Sequence, residues 1–264
     1  MQQTLRFTVQ AKGLARYSAQ QVQMRIHPAA ENCGIVFDVL GWQLAATLAD
    51  AMPEYGLSLG QQEQVIRNCE KLLAAMYGVG IDNAVIELNY PEVPEMDGGA
   101  SSFVALLHSA GVVQQTQPRR VLKVESPLLV QHHGSWARVL PAQNLRVACL
   151  RSQGRKQHAV NLRDVVVDIR RATFESCVRH AGAQPLPHQS REGGDTSVFN
   201  RHDVLACLAD LSLLQVRFQG MYVGCGANRA LNLALLRRLM DSPDAWIQYV
   251  PGLQAAAGAQ GNTG

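Results

Sequence analysis

The stretch that most constrains this fold is residues 80–104, GIDNAVIELNYPEVPEMDGGASSFV, together with what precedes it. From 61 to 77 the apolar positions are Val65, Ile66, Cys69, Leu72, Leu73 and Met76, which is helical spacing with one buried face. Gly78 and Gly80 end that helix, because glycine accepts the left-handed geometry of a C-cap. Ala84 to Leu88 reads as a strand. Pro91 and Pro94 mark an extended loop. Asp97-Gly98-Gly99 is a turn with Gly98 or Gly99 at positive φ. A second helix starts at Ser101 and runs to Ala110.

The same pattern of strands followed by helices recurs. Residues 4–10 and 22–27 alternate as strands, and Asn32-Cys33-Gly34 turns into the strand Ile35-Val36-Phe37. The polar run 114–120, QTQPRR after its first Gln, is the linker candidate. Strands are expected at 121–131, 136–140, 144–150 and 157–168. The polar stretch Pro185 to Asp195 follows, then a helix near 201–215, a strand near 216–224 and a helix near 229–240. This order predicts an α+β fold of two similar domains, each a sheet with helices packed on one face and the helical layers facing each other. The division expected is an N-terminal domain over 1–114, a linker over 115–120, a C-terminal domain over 121–250 and a disordered tail over 251–264. No sequence repeat relates the two halves.

Bulk properties exclude several classes. With 264 residues and 47% hydrophobic content, the chain can bury one large or two small cores. A net charge of +3 from scattered basic residues gives no nucleic-acid tail. Arg119-Arg120 with Lys123 reads as a solvated loop. No apolar run reaches about 18 residues, so no segment is expected to span a membrane. Six cysteines occur without a CxxC pair. The start MQQTLRFTVQ has no apolar h-region, which predicts a cytoplasmic chain with free thiols.

Several segments carry a resemblance. Asn32-Cys33-Gly34-Ile35-Val36-Phe37, Glu92-Val93-Pro94-Glu95-Met96-Asp97-Gly98, Ala172-Thr173-Phe174, the helix opening at His202, Ala230-Leu231-Asn232 and Asp244-Ala245-Trp246 occur in order over nearly the whole chain. Together they resemble the zinc-dependent UDP-3-O-acyl-N-acetylglucosamine deacetylases of lipid A biosynthesis. The resemblance implies two α+β domains with a site between them. It also implies a zinc held by a histidine from a Glu-His pair and by a histidine and an aspartate four residues apart on a helix. Three such ligands leave one tetrahedral position for a water whose pKa the metal lowers to about 7.

Carried over by position, that chemistry is mostly replaced. The Glu-His pair is Glu70-Lys71, which keeps the general-base position and puts an ammonium at the first ligand. His202 is the only surviving ligand position, because the aspartate falls at Ala206. Thr173 keeps the oxyanion hydroxyl. Phe174 and Asp203 fall at ligand-binding positions, Asp203 with its charge reversed. The general-acid histidine falls at Arg229, or at Cys225 in a shifted register. A guanidinium does not give up its proton in proteins. Lys71 and Arg229 are therefore candidate anion-binding positions, and Lys71 is expected to sit in the metal's place, paired with Glu70 or a bound anion.

Plainer readings stand beside these. His202 reads as a hydrogen-bonded structural histidine, Glu70 as either a retained base position or a surface carboxylate, and Thr173 as structural. Cys69 and Cys207 point away from the ligand face and read as small core residues. His132-His133, His180 and His188 have no ligand spacing. The expectation is a non-catalytic member of the family with no cofactor. It would act by binding a UDP-sugar-like anion or a protein partner of lipid A synthesis, whose regulation it could serve. Two alternatives are a metal-free enzyme using Lys71 and Glu70, and an active deacetylase with a rebuilt metal site.

Overall fold

The structure, a computed structural model, describes residues 1–150, 166–170, 174–178 and 196–251. Two five-stranded sheets organise it. The first has the spatial order Val9–Leu14, Gln21–Pro28, Ala84–Leu88, Ile35–Val39, Trp42–Ala45. All its neighbours are antiparallel except Ala84–Leu88 beside Ile35–Val39, which are parallel. The second has the order Leu128–His132, Ser135–Leu140, Met221–Cys225, Arg146–Leu150, Val166–Asp168. Again only the third and fourth are parallel. The two halves thus repeat one topology.

A parallel pair cannot be joined by a tight turn and needs a crossover. In the first half the crossover carries helix α1, Glu70–Val79, and the last strand leads into α2, Ser101–Ala110. In the second half it carries α3, Thr196–Ser212, and the last strand leads into α4, Arg229–Met240. Strand Gln21–Pro28 buries Val22, Met24 and Ile26 and exposes the residues between, so this sheet has one covered face. α1 packs directly on α3, which closes the two helical layers against each other. The expected two-domain α+β architecture is therefore the observed one. Leu72, Leu73 and Met76 of α1 share a continuous buried cluster with Val204, Leu205 and Leu208 of α3.

Between strand Trp42–Ala45 and α1 the first half inserts an arm. It holds a small antiparallel sheet of Ala51–Met52, Ser58–Gln61 and Gln64–Ile66. The second half bonds to the backbone of this arm. Gln215 Nε2 donates to the Ala46 carbonyl at 2.6 Å, Arg237 Nη2 to the Ala51 carbonyl at 2.7 Å, and the Leu48 N–H to the Leu213 carbonyl at 3.2 Å.

Several boundaries differ from the sequence reading. The helix expected from Gln61 begins only at Glu70. Gly60 sits at φ +127 with the Gln64 carbonyl where a Cβ would be, so 58–66 closes as a hairpin, and Asn68 at φ 61 separates it from the helix. Gly80, at φ 99, is the C-cap, whereas Gly78 lies inside α1. The strand expected over 4–10 is two, Gln3–Leu5 and Val9–Leu14. That over 121–131 breaks before Leu128 at Pro127, which has no N–H to donate. That over 216–224 breaks at Gly220, where a Cβ would meet Val124 at 2.8 Å. Gly98 has the positive φ expected of its turn. No helix among the described residues is long and apolar enough to cross a membrane. The Pro185–Asp195 stretch and the tail beyond 251 lie outside the described residues.

Candidate functional site

The charged residues singled out in the sequence meet near the N-terminal end of α1, where it packs on α3. Glu70 and Lys71 open α1 and are both buried, at 7% exposure each. Successive helical residues project about 100° apart, so the two side chains reach different partners. Lys71 does not pair with Glu70. Its Nζ donates to Glu95 Oε1 at 2.6 Å. Glu95 comes from the proline-rich loop and also accepts from Arg16 at 2.8 Å and Asn68 at 3.0 Å. Burial works to raise the Glu95 carboxyl, but the Lys71 hydrogen bond and charge outweigh it and hold the group below the usual range. Glu92 of the same loop accepts from the backbone N–H groups of Tyr17 and Ser18. The loop is thus a scaffold, and it also supplies the partner of Lys71.

Glu70 is a buried carboxylate, not a surface one. Its partner is Arg229, whose Nη2 donates to Glu70 Oε2 at 2.6 Å. Arg229 is the first residue of α4, and the Asn228 side chain caps the helix by accepting from the Leu231 N–H. From there Arg229 crosses between the halves. Nη1 donates to the Gly56 carbonyl of the arm, and Nε lies 3.3 Å from Asp210 Oδ1. Asp210, on α3, is 1% exposed and its Oδ2 accepts from Asn232 Nδ2 at 2.9 Å. Asn232 Oδ1 in turn accepts from the Tyr222 hydroxyl. Two carboxylates therefore share one guanidinium. Desolvation pushes the Asp210 carboxyl up to about 6, against the pull of Arg229 and Asn232.

Sequence reasoning missed Asp210 and Glu95. Asp210 did have a signal: His202, Ala206 and Asp210 are spaced i, i+4, i+8 and form one stripe of α3. Glu95 had none, because a loop residue shows no periodicity.

The other predicted positions scatter. His202 is exposed and lines a cavity of about 370 Å³ with Asp203, Ala206, Asn228 and Arg229; it is not a residue packed into the core. Phe174, expected beside a ligand, is fully buried with its ring against Gly78, where a Cβ would lie 2.3 Å from ring atoms. Thr173 lies outside the described residues. Cys69 and Cys207 are buried, as expected, and burial pushes both thiols well up, away from thiolate character.

The residues expected at the three ligand positions do not make a zinc donor set. Lys71 presents an ammonium already bonded to Glu95, Ala206 has no donor atom, and His202 alone supplies a nitrogen. No group of three His, Cys, Asp or Glu side chains suited to a metal occurs among the described residues.

Two matching α+β halves closed helix against helix, with a charged cluster where the helices meet, define the class of protein to which this chain should be compared. A family model described as UDP-3-O-acyl N-acetylglycosamine deacetylase matches residues 2–184, and the chain belongs to that family. The matched part includes Glu70 and Lys71 and ends before α3. Curated relatives extend the likeness over the remainder. A UDP-3-O-acyl-N-acetylglucosamine deacetylase from Nitrosococcus oceani is 31% identical over 93% of this chain and 91% of its own length. Those from Acidithiobacillus ferrooxidans and Nitratidesulfovibrio vulgaris are 29% and 30% identical, over 93% and 94% of this chain and 91% of each relative.

Proposed function

We propose that this family member acts by binding rather than by hydrolysis. The observation that carries the reading is Arg229, whose guanidinium holds Glu70 at 2.6 Å and Asp210 at 3.3 Å. A general base must have a free lone pair within reach of the proton it takes. Glu70 Oε2 is engaged in a charge-assisted bond that holds the carboxylate ionised and fixed, and the residue that holds it can neither accept nor release a proton. Lys71, at the first ligand position, is bonded to Glu95 in the same manner. Lys71, Ala206 and His202 do not make a donor set that fits zinc.

The family's substrate class gives the candidate ligand. A UDP-sugar-like anion would enter the cavity beside Arg229, with His202, Asn228 and Asn232 on its walls. It would be held there uncleaved, or the same surface would meet a protein partner of lipid A synthesis. Either makes the chain a regulator of that synthesis rather than one of its catalysts.

Elemental mass spectrometry of tag-free protein purified without chelator tests this, run beside an acetate-release assay on UDP-3-O-acyl-N-acetylglucosamine. The expected result is folded protein with metal far below one per chain and no acetate release. Stoichiometric zinc or iron with turnover overturns the reading.

A further inference from the structure

The Arg119-Arg120 pair, expected in a solvated loop, is not all solvated. Arg119 is built into the seam between the halves at the C-terminal end of α1. α1 has ten residues, so at about 1.5 Å per residue this end lies roughly 13 Å from Glu70. Arg119 Nη2 donates to the Gly80 carbonyl at 2.7 Å, and its Nε reaches both oxygens of Asp82 at 2.9 and 2.8 Å. Arg217 Nη1 donates to the Tyr77 carbonyl at 2.6 Å, with the guanidinium over the Tyr77 ring at 4.6 Å. Both arginines thus cap the last carbonyls of α1, where cations are favoured.

Capping accounts for Arg119 but leaves part of Arg217 unused. Arg217 Nη2 is screened from solvent and takes no hydrogen bond. Its neighbouring carboxylate oxygen, Asp82 Oδ1, is 3.6 Å away and already accepts from Arg119. Two guanidinium groups against one carboxylate leave a surplus positive charge. Burial, reinforced by Arg119, draws Arg217 below the usual arginine range, the direction expected of a cation short of counter-charge. Buried donors without acceptors are uncommon and call for an explanation.

These groups wall a cavity of about 470 Å³, larger than the one beside Arg229 and at the other end of α1. Its remaining polar walls include the amides of Gln3, Gln143, Asn144 and Gln219. The Tyr249 hydroxyl donates to Gln219 Oε1 at 2.6 Å, and Arg119 Nη2 donates to Gln3 Oε1 at 3.1 Å. Each of these glutamines accepts through its oxygen, which leaves its NH2 as the group to present. The cavity therefore offers donors and an uncompensated charge.

We propose that this seam cavity binds a small molecule through a carboxylate or phosphate group, drawn by the surplus charge of Arg217 and seated on the amide donors of Gln3 and Gln219. The site uses none of the residues of the Glu70–Arg229 cluster, so it stands or falls separately from the reading of that cluster.

Thermal unfolding of the full chain tests it, with acetate and inorganic phosphate titrated separately at ionic strength held constant with chloride. The expected result is a saturable rise in Tm of about 2–4 °C with one of the two, which also says which group the ligand carries. Arg217→Met should abolish the rise, but it also removes a helix cap and can fail to fold. Gln219→Glu is the cleaner variant, because it keeps an acceptor for Tyr249 and sets a negative charge in the cavity. It should unfold normally without probe and lose the rise. No saturable rise with either anion, or an equal rise in Gln219→Glu, overturns the proposal and leaves the arginines as helix caps only.

Discussion

Lys71 and Arg229, expected from the sequence at two histidine positions of the family's catalytic centre, lie one in each half and are anchored in opposite ways. Lys71 stays within its own half and bonds to Glu95, which retains Arg16 and Asn68 as further donors. Arg229 leaves its half, reaches the Gly56 carbonyl and Glu70 in the other, and is the cation between two buried carboxylates. A cation with a well-supplied partner is a local fastener. A cation on which two carboxylates depend is a joint. Two cations of one cluster therefore carry unequal weight.

That inequality can be broken first by Arg229→Met. It strands Glu70 and Asp210 as buried charges without a cation, and breaking a buried pair in this way costs about 3–5 kcal/mol. Urea denaturation should show the loss as a lower midpoint, and pairing the change with Asp210→Asn should recover part of it. An effect below that of Lys71→Met would reverse the comparison.

Lys71→Met should come second, at about 2 kcal/mol, since a hydrogen bond to a charged group is lost while Glu95 keeps its other donors. Glu95 is partly exposed, which limits the cost further. A loss as large as that of Arg229→Met would show that Glu95 depends on Lys71 alone.

The smallest effect is the pH response. Asp210 has a folded-state pKa of about 6, raised by burial, so its contribution is fully present below the unfolded value and is lost as pH rises through 6. Between pH 5 and 7 stability should fall by about 1 kcal/mol, and Asp210→Asn should flatten that fall. Glu95 is lowered, so its contribution has the opposite sign: present above the usual glutamate range, lost as pH falls through its depressed value. Glu95→Gln should blunt the acid limb and leave the pH 5–7 slope intact. Equilibrium urea curves at a series of pH values check both.

The elements that sequence reading placed well are those with a clear period or a clear stop. α2 and α4 lie where a helix was expected, and strand Ala84–Leu88 is bounded as expected. Breaks inside apolar runs were not legible. Val65 and Ile66 fit a helical period as well as a hairpin, and only the Gly60 turn, a tertiary fact, decides between them. The site followed the same rule. The sequence singled out Glu70, Lys71, Ala206 and Arg229, but not their partners. Lys71–Glu95 and Arg229–Asp210 join residues 24 and 19 positions apart, through a loop and across a helix-helix contact. Nothing in local pattern encodes such pairs. Arg119 was misread for the same reason: its partner Asp82 is remote in sequence.

The arm of the first half is held through its main chain. Gln215, Arg237 and Arg229 take the carbonyls of Ala46, Ala51 and Gly56, and every residue type offers the same carbonyl. Evolutionary constraint at this joint is consequently one-sided. The arm can change its exposed side chains over generations without loosening the contact, while the three donors opposite cannot be exchanged freely. Substitutions accumulating in related chains should thus be tolerated at the exposed arm positions 49, 53 and 54 and rare at 215, 229 and 237, so that part of the arm is free to acquire new specificity while the donors opposite keep the halves joined.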